Sequence, residues 1–277
     1  MKRIILLANT AKPNVTEAMK VLEPWLRERA DVRVETDLDA EWSGPADVVV
    51  ALGGDGTMLH AARKFARAGT PIVGINVGKF GFLTEGTAED AQEVLGDVLA
   101  GRCTVHERMM LRCRLERKGK TLQDTLGLND AVVCRTSLSR LMTIELLVDG
   151  EPVNTYRADG LIVATPVGST AHSLAASGPI LAPDMDAFVV SPICPHTLSN
   201  RPIVISPDRM LEMRPRESAE SPALTVDGQM CTQLEDGDSV QIERAAEKLR
   251  LISTGRRTFF ETLRTKLGWS GQPRYVR

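Results

Sequence analysis

The feature that most constrains this chain is a glycine-rich run, residues 53–57 (GGDGT), placed directly after the apolar run 48–52 (VVVAL). A buried strand that ends in glycines and leads into a helical segment from about Met58 is typical of a parallel sheet. Ligands of such sheets bind where the strands end, and the first N–H groups of a helix bind phosphate. The run therefore predicts an anion-binding loop.

Asp55 is the unexpected member of this loop. A carboxylate among phosphates repels the ligand unless it holds a cation or takes up a proton, so its presence favours phosphoryl chemistry over plain binding. We also expect Thr57 to cap the helix. The alternative, a glycine-rich turn in which Asp55 is only a turn or capping residue, stays open.

Strand and helix patterns alternate over the first hundred residues. Apolar runs predict strands, and apolar residues at helical spacing predict helices, with Pro24 expected to kink or split the first helix. The predicted strands are residues 4–8, 32–34, 48–52 and 72–75, and the predicted helices are 15–26, 58–67 and 89–100. This pattern indicates an α/β domain with a Rossmann-like parallel sheet at residues 1–102, on which the tail 254–277 is expected to pack.

After Gly101 the pattern changes to two-residue alternation, which is typical of strands with one buried face. Asp149-Gly150 between two strand-like runs predicts a tight hairpin. Further short strands are expected at 161–164, 188–190, 203–205, 224–226, 240–242 and 249–252. We therefore predict a β-rich second domain, a β-sandwich, at residues 103–253.

The composition of the chain argues against some partners and favours one cellular compartment. Thirty-four Lys and Arg against 36 Asp and Glu give a net charge of −2, which offers no field for nucleic acid or an anionic membrane. No apolar run approaches the length of a membrane span. The five cysteines form no C-x-x-C pair, which favours reduced thiols, a cytoplasmic location and no structural zinc.

The sequence does not match three other well-known site motifs: the Walker A loop, the dinucleotide-binding fingerprint and the serine hydrolase motif. Residues 74–80 (GINVGKF) are one residue short of a Walker A loop and place Phe80 where a hydroxyl is needed. The 53–56 run lacks the spacing of the dinucleotide fingerprint, which weakens a dehydrogenase interpretation. Ser169, His172 and Ser173 lie close together without the G-x-S-x-G motif, which weakens a hydrolase interpretation.

The chain resembles the NAD kinases in motifs that occur in one order along the sequence. They are 53–57 (GGDGT), 81–84 (GFLT), 129–130 (ND), 159–160 (DG) with 165–171 (TPVGSTA), and 192–198 (PICPHTL), and 227–229 (DGQ) extends the likeness. The first motif also occurs in phosphofructokinases and in diacylglycerol and sphingosine kinases. The motifs of the second domain are those that single out NAD kinases.

The resemblance implies phosphoryl transfer from ATP, or polyphosphate, to the adenosine 2′-hydroxyl of NAD, making NADP with Mg²⁺. It also implies a site between the two domains and a homodimer or homotetramer, with no metal assigned to direct ligation by the protein. Asp55 would be the base or hydroxyl-orienting carboxylate, Asp159 would bond the carboxamide end, and Arg157 would reach a neighbouring subunit's site. The implied NAD-binding residues are Gly56, Phe82, Asn129, Asp130, Arg157, Asp159, Thr170, Ala171, His172 and Asp227, and the phosphate loop is Gly53, Gly54 and Thr57.

Three positions depart from the family's usual residues: Asp130 stands for Glu, His172 for Tyr and Ala175 for Ser. Asp130 keeps the negative charge and His172 keeps a ring that can stack. These two departures are therefore compatible with the activity that the resemblance implies. Two alternatives stay open, a lipid kinase of the same superfamily and a dinucleotide sensor without activity. Asp55 speaks against the sensor, because binding alone gains nothing from a carboxylate among phosphates.

Overall fold

The computed structural model describes residues 1–39, 42, 44–78, 80–136, 141–197, 199–216 and 222–269. The chain forms two compact units, residues 1–106 with 250–277, and residues 107–249. The domain bounds expected from the sequence, with breaks after 102 and 253, stay a prediction.

The first unit contains a parallel sheet. Its elements are β1 (Arg3–Ala8), α1 (Pro13–Arg27), β2 (Asp31–Glu35), β3 (Val48–Gly53), α2 (Asp55–Phe65), a 3-10 turn (Ala66–Ala68), β4 (Ile72–Asn76), β5 (Gly86–Thr87) and α3 (Ala91–Leu99). β3 lies between β1 and β4, and β2 pairs with the other side of β1, all in parallel. All of β3 is buried, as expected of a parallel strand covered on both faces. The predicted α/β fold is confirmed.

Two local expectations in this unit need correction. Helix α1 runs continuously through Pro24, so the expected split does not occur, and a kink at Pro24 stays a prediction; the helix buries Val15, Leu22 and Leu26. Helix α2 begins at Asp55 with Gly54 as its N-cap, and Thr57 does not cap it. The reason is that the chain enters the helix directly after Gly53, which places Thr57 inside the first turn, with its N–H bonded to the Gly54 carbonyl.

The second unit is built almost entirely of antiparallel strands. Its elements are β6 (Thr104–Arg117), β7 (Lys120–Gly127), β8 (Asp130–Cys134), β9 (Met142–Val148), β10 (Glu151–Ala158), β11 (Gly160–Ala164), a 3-10 turn (Gly168–Thr170), α4 (His172–Ala175), β12 (Phe188–Ile193), β13 (Ile203–Ile205), β14 (Leu211–Arg216), β15 (Ala223–Val226), β16 (Met230–Gln233) and β17 (Ser239–Ser253). One sheet has the order β13-β12-β11-β8-β15-β16, and the other contains β10-β9-β14-β17 with β6 and β7.

One hydrophobic core lies between these two sheets. Val133, Leu161 and Leu224 from the first sheet share a buried cluster with Ile144 and Val240 from the second. Alternating inward side chains from two facing sheets define a β-sandwich. The predicted β-sandwich is confirmed.

In the second unit the sequence predicts the hairpin turn correctly but divides the last strand into two. Asp149 and Gly150 join β9 to β10 with φ values of 51° and 83°, which confirms the predicted tight turn. Two short strands were expected at 240–242 and 249–252, but β17 is continuous from Ser239 to Ser253. Buried residues recur through the charged segment, at 245 and 249, although the two-residue period shifts by one residue after 242, so the segment stays in the strand.

The chain returns to the first unit after β17. Helix α5 (Phe259–Leu267) starts with a capping box between Thr258 and Glu261 and ends at Gly268, whose φ is 67°. Arg256 forms ion pairs with Glu93 and Asp97 of α3. Within the part of the chain described, no helix has both the length and the apolar composition that crossing a membrane requires.

A buried carboxylate anchors this return, which gives a stability prediction. Glu85 accepts hydrogen bonds from Thr254 N at 2.6 Å, Thr254 Oγ1 at 2.7 Å and Ser253 Oγ at 3.3 Å. We expect Glu85→Ala to lower the free energy of unfolding by about 2 kcal/mol in urea denaturation, because the Thr254 N–H loses a charged acceptor. Glu17→Ala, which removes an exposed pair with Lys20, is the control and should change little. Equal effects of the two variants would contradict the anchoring role.

Candidate functional site

In the first unit, the Asp55 carboxylate holds a neighbouring loop by its main chain. Asp55 lies in the first turn of α2, where Oδ2 accepts the Phe82 N–H at 3.0 Å and Oδ1 accepts the Leu83 N–H at 3.1 Å. An ionised carboxylate has about four lone-pair positions, so these two bonds leave acceptor capacity for a ligand. The sequence motifs 53–57 and 81–84 therefore lie against each other, joined by the Asp55 carboxylate.

Two glycines make this close approach possible. A Cβ at Gly81 would overlap the Asp55 carboxylate, and a Cβ at Gly53 would overlap the Thr57 side chain. Gly56 is exposed at the start of α2, whereas Thr57 is buried. The α2 N-terminus therefore carries no side chain at Gly54 and Gly56, on either side of Asp55, which favours an anion site.

Asn76 adds a polar group that the sequence reasoning missed. It ends β4 directly opposite Gly53 and is 2% exposed. Its Nδ2 has no hydrogen-bond partner among the described residues. A buried, unsatisfied donor is costly, and this one lies at the edge of the sheet where β3 ends.

In the second unit, Asn129 and Asp130 lie where β7 passes into β8, and Asp227 follows β15. Asp227 Oδ1 accepts the N–H groups of Asn129 at 2.7 Å and Asp130 at 3.2 Å, and its Oδ2 accepts that of Leu128 at 3.0 Å. The Asp227 N–H donates to the Asp130 carbonyl at 2.9 Å. The structure thus brings together Asn129, Asp130 and Asp227, which the sequence placed far apart.

The opposite side of this segment is held by the loop that follows β11. Thr165 Oγ1 donates to the Leu128 carbonyl at 2.5 Å, and Thr165 N–H donates to the Asn129 carbonyl at 2.9 Å. A Cβ at Gly168 would overlap the Asn129 main chain. Thr165 and Gly168 occur in the 165–171 motif, but their packing role could not be read from it.

Asp130 is a buried carboxyl group with perturbed acidity. It is 4% exposed. Burial, and secondarily the negative charge of Asp227, raise the pKa of Asp130 to about 7. At neutral pH this group is therefore poised between donating and accepting a hydrogen bond to a ligand hydroxyl.

Asp159 and Arg157 lie near the turn from β10 to β11. The Asp159 carboxylate pairs with Arg135 at 3.0 Å, a partner that the sequence analysis missed. Gly160 lies opposite Cys134 in the pairing of β11 with β8, so Asp159 and Arg135 are neighbours across the strands. Arg157 is exposed, and its carbonyl accepts the His196 N–H at 2.9 Å. Asp159 is therefore an anionic group whose charge is partly balanced.

Thr170, Ala171 and His172 follow the same 165–171 loop. Thr170 Oγ1 bonds the Val167 carbonyl at 3.1 Å, and His172 opens α4 with an exposed side chain. His172 lines a cavity of about 500 Å³ together with Cys194 and Arg201. Leu198 of the 192–198 motif lies outside the described residues.

The serines of this loop have structural partners. Ser169 Oγ donates to the Pro166 carbonyl at 2.6 Å, and Ser173 Oγ pairs with Ser191 Oγ at 2.9 Å. Both serines are fully buried. Their hydroxyls are committed to packing, so the geometry gives a serine hydrolase no support.

The groups around Asp55 fit a magnesium ion that arrives with a nucleotide. Among the described residues, no cluster of three His, Cys, Asp or Glu side chains could hold a metal by itself. Magnesium is usually bound through one or two carboxylates together with substrate phosphates. With one carboxylate at this place, the magnesium ion would be held mainly by the substrate phosphates, and no ligand is assigned to the protein.

The raised pKa of Asp130 predicts how stability depends on pH. The folded state binds the Asp130 proton more tightly than the unfolded state does. Protonation of Asp130 therefore contributes fully to the stability of the fold below about pH 4, and this contribution is lost as pH rises through about 7. The free energy of unfolding of the wild type should fall by about 1.4 kcal/mol for each pH unit in this window, and Asp130→Asn should remove that dependence. Urea denaturation at pH 5 and pH 7.5 measures it, with the exposed Asp186→Asn as control. An Asp130→Asn slope equal to that of the wild type would contradict the buried, proton-binding state.

Family comparison covers both units of the chain. Residues 4–103 match the ATP-NAD kinase N-terminal domain, and residues 128–254 match the ATP-NAD kinase C-terminal domain. An NAD kinase of Geobacter sulfurreducens is 41% identical over 281 residues, covering 97% of this chain and 99% of that protein. An NAD kinase of Desulforamulus reducens is 40% identical over 280 residues, covering 96% and 97%.

Solved structures agree with this comparison. A yeast NADH kinase complexed with NADH has a TM-score of 0.87 at 25% identity, covering 100% of this chain and 90% of that one. An NAD kinase from Archaeoglobus fulgidus in complex with ATP has a TM-score of 0.72 at 28% identity, covering 98% and 100%. With matching sequence models, near-full-length relatives and this fold, the chain belongs to the NAD kinase family.

Proposed function

We propose that this chain is an NAD kinase that transfers the terminal phosphoryl group of ATP to the adenosine 2′-hydroxyl of NAD, producing NADP and ADP. The observation that carries the proposal is the Asp55 carboxylate, fixed at the start of α2 beside the glycine loop with lone pairs to spare. The family assignment supports the activity. A relative solved with ATP favours ATP over polyphosphate as donor.

The chemistry assigned to Asp55 is acceptance of one proton. The hydroxyl oxygen forms a bond to the γ-phosphorus while the bond from that phosphorus to the ADP oxygen breaks, and the hydroxyl proton passes to Asp55 and then to solvent. The N–H groups at the start of α2, flanked by Gly53 and Gly54, would bind donor phosphates. Magnesium, when bound with the nucleotide, offsets the phosphate charge.

The second unit would hold the acceptor. Asn129 and Asp130 would bond hydroxyls of the adenosine portion, with Asp130 able to donate or accept because its pKa is about 7. Asp159 would bond the carboxamide end, with Arg157 as the residue that reaches a neighbouring subunit. Thr170, Ala171 and His172 would line the base pocket, and the resemblance also implies NAD contacts for Gly56 and Phe82. These roles rest on the resemblance and on the placement of the side chains.

We extend the proposal to the setting of the enzyme. Magnesium as the divalent metal, a cytoplasmic location and a homodimeric or homotetrameric assembly are expected from the family likeness. The free cysteines and the net charge of −2 support the cytoplasmic location and the absence of nucleic-acid partners. Sedimentation of the purified chain tests the assembly.

The direct test of function is NADP formation by the purified protein with NAD, ATP and Mg²⁺, read with an NADP-specific dehydrogenase. Parallel reactions contain polyphosphate in place of ATP, or diacylglycerol in place of NAD. NADP formation is the expected result. Lipid phosphorylation, or NAD binding without turnover, would replace the proposal with one of the two alternatives.

The charge of Asp55 should be needed for turnover. Asp55→Asn keeps the size of the side chain but removes the negative charge, so turnover should fall on the order of 10²-fold, as losses of general-base groups do. NAD affinity, measured by calorimetry, should change far less. Unchanged turnover in this variant would reduce Asp55 to a residue that holds the 82–83 main chain.

Gly81 should matter because it sets the position of Asp55. In Gly81→Ala the new methyl group meets the carboxylate, and a displacement of about 1 Å can lower turnover up to 10²-fold. Gly96→Ala is the matched control, because its methyl group meets no atom within 4 Å and it lies inside α3. That control should be active and stabilised by about 0.5 to 1 kcal/mol. Full turnover in Gly81→Ala would show that the Asp55 position is not critical.

A further inference from the structure

The carboxylate of Asp227 bonds three consecutive main-chain N–H groups. Asp227 is 7% exposed, and both oxygens accept main-chain N–H groups of residues 128–130 at 2.7 to 3.2 Å. Its own φ is 54°, in the left-handed region that residues other than glycine rarely adopt. This φ belongs to the Asp227-Gly228 turn between β15 and β16, where the Gln229 N–H donates to the Val226 carbonyl at 3.1 Å, so the turn places the carboxylate against residues 128–130.

The segment that Asp227 holds has no free main-chain group. The N–H groups of Leu128, Asn129 and Asp130 all donate to Asp227. The carbonyls of Leu128 and Asn129 accept from Thr165, and the carbonyl of Asp130 accepts from Asp227 N–H. Because the main chain is saturated in this way, the side chains of Asn129 and Asp130 are the groups left to recognise a substrate.

We propose that Asp227 is a positioning residue of the NAD kinase reaction, which sets the side chains of Asn129 and Asp130 through their main chain and does not itself bind NAD. The inference rests on the proposed function. It replaces the direct NAD contact that the family resemblance implied for Asp227. The reason is geometric, since the carboxylate is enclosed and engaged with three amides of the chain.

The arrangement also gives Asp227 an electrostatic effect on Asp130. The negative charge of Asp227 raises the pKa of Asp130, in addition to the larger effect of burial, because a second negative charge beside Asp227 is unfavourable. Removing the Asp227 charge should therefore make Asp130 more acidic. A buried carboxylate far from Asp130 would not shift the pKa of Asp130, so pH dependence separates an effect of Asp227 on this site from general destabilisation.

The central variant is Asp227→Asn. Asparagine tolerates a φ near 54° and keeps one acceptor oxygen, but its amide group presents a donor to the Leu128 N–H. Loss of a charge-assisted bond should raise the KM for NAD about tenfold, with kcat within about threefold and the KM for ATP unchanged. The pH at which the KM for NAD changes should move to a lower value.

Asp238→Asn is the matched control. Asp238 is a buried carboxylate of the same unit that accepts the Glu235 N–H at 2.8 Å and pairs with Arg117 at 2.8 Å. Its substitution should lower stability without changing the KM for NAD or its pH dependence. An equal rise in the KM for NAD in both variants would overturn the proposal, because it would reduce the effect of Asp227 to general destabilisation.

The remaining outcomes separate this inference from the proposed function. An inactive wild-type protein contradicts the NAD kinase function, whereas an active wild type with an unaltered KM for NAD and pH profile in Asp227→Asn overturns the positioning role alone. Calorimetric NAD binding gives the same test without turnover. If Asp227→Asn does not fold, amide hydrogen exchange of Leu128, Asn129 and Asp130 in the wild-type protein decides: slow exchange supports the positioning role, and exchange as fast as in an exposed turn overturns it.

Discussion

Three main-chain N–H groups converge on the carboxylate of Asp227, and the placement of Asn129 and Asp130 in the second unit depends on this convergence. A buried peptide group without a partner costs as much as a lost hydrogen bond. Residues 128–130 lie where one strand ends and the next begins, so a sheet ladder alone does not bond both sides of them. Asp227 and Thr165 supply these bonds instead, and this holds Asn129 and Asp130 at fixed positions.

The same physical device recurs in the first unit. Asp55 accepts the N–H groups of Phe82 and Leu83, and Glu85 accepts that of Thr254. Each carboxylate organises a segment that lacks regular secondary-structure bonds. For Asp55 this has a functional consequence, because the group that would take the proton is also held in place by the loop it organises. A base fixed in this way needs no reorganisation when the substrate binds.

The fold was largely predictable from the sequence. The buried run that forms β3, the change from helical to two-residue periodicity after Gly101 and the turn at Asp149-Gly150 each reflect a local rule, and each is confirmed. The motif 53–57 likewise reached the correct end of β3. These features depend on a few neighbouring residues, which is why one sequence suffices to find them.

Features that depend on distant residues were not predictable. The bonds from Asp227 join residues almost a hundred positions apart, and the partner of Asp159 depends on the pairing register of β8 and β11. The start of α2 at Asp55 and the continuity of β17 were also missed. For both elements, local propensity allows several possible ends, and tertiary packing decides where the helix or strand begins and ends.

Amide hydrogen exchange at Leu128, Asn129 and Asp130 in the wild-type protein tests most directly whether Asp227 holds this segment. Because these three N–H groups are bonded to one enclosed carboxylate, their exchange should be among the slowest in residues 107–249, comparable with that of β11 in the same sheet. Exchange of these three amides as fast as in an exposed turn would contradict this, because it would show that Asp227 does not fix the positions of Asn129 and Asp130.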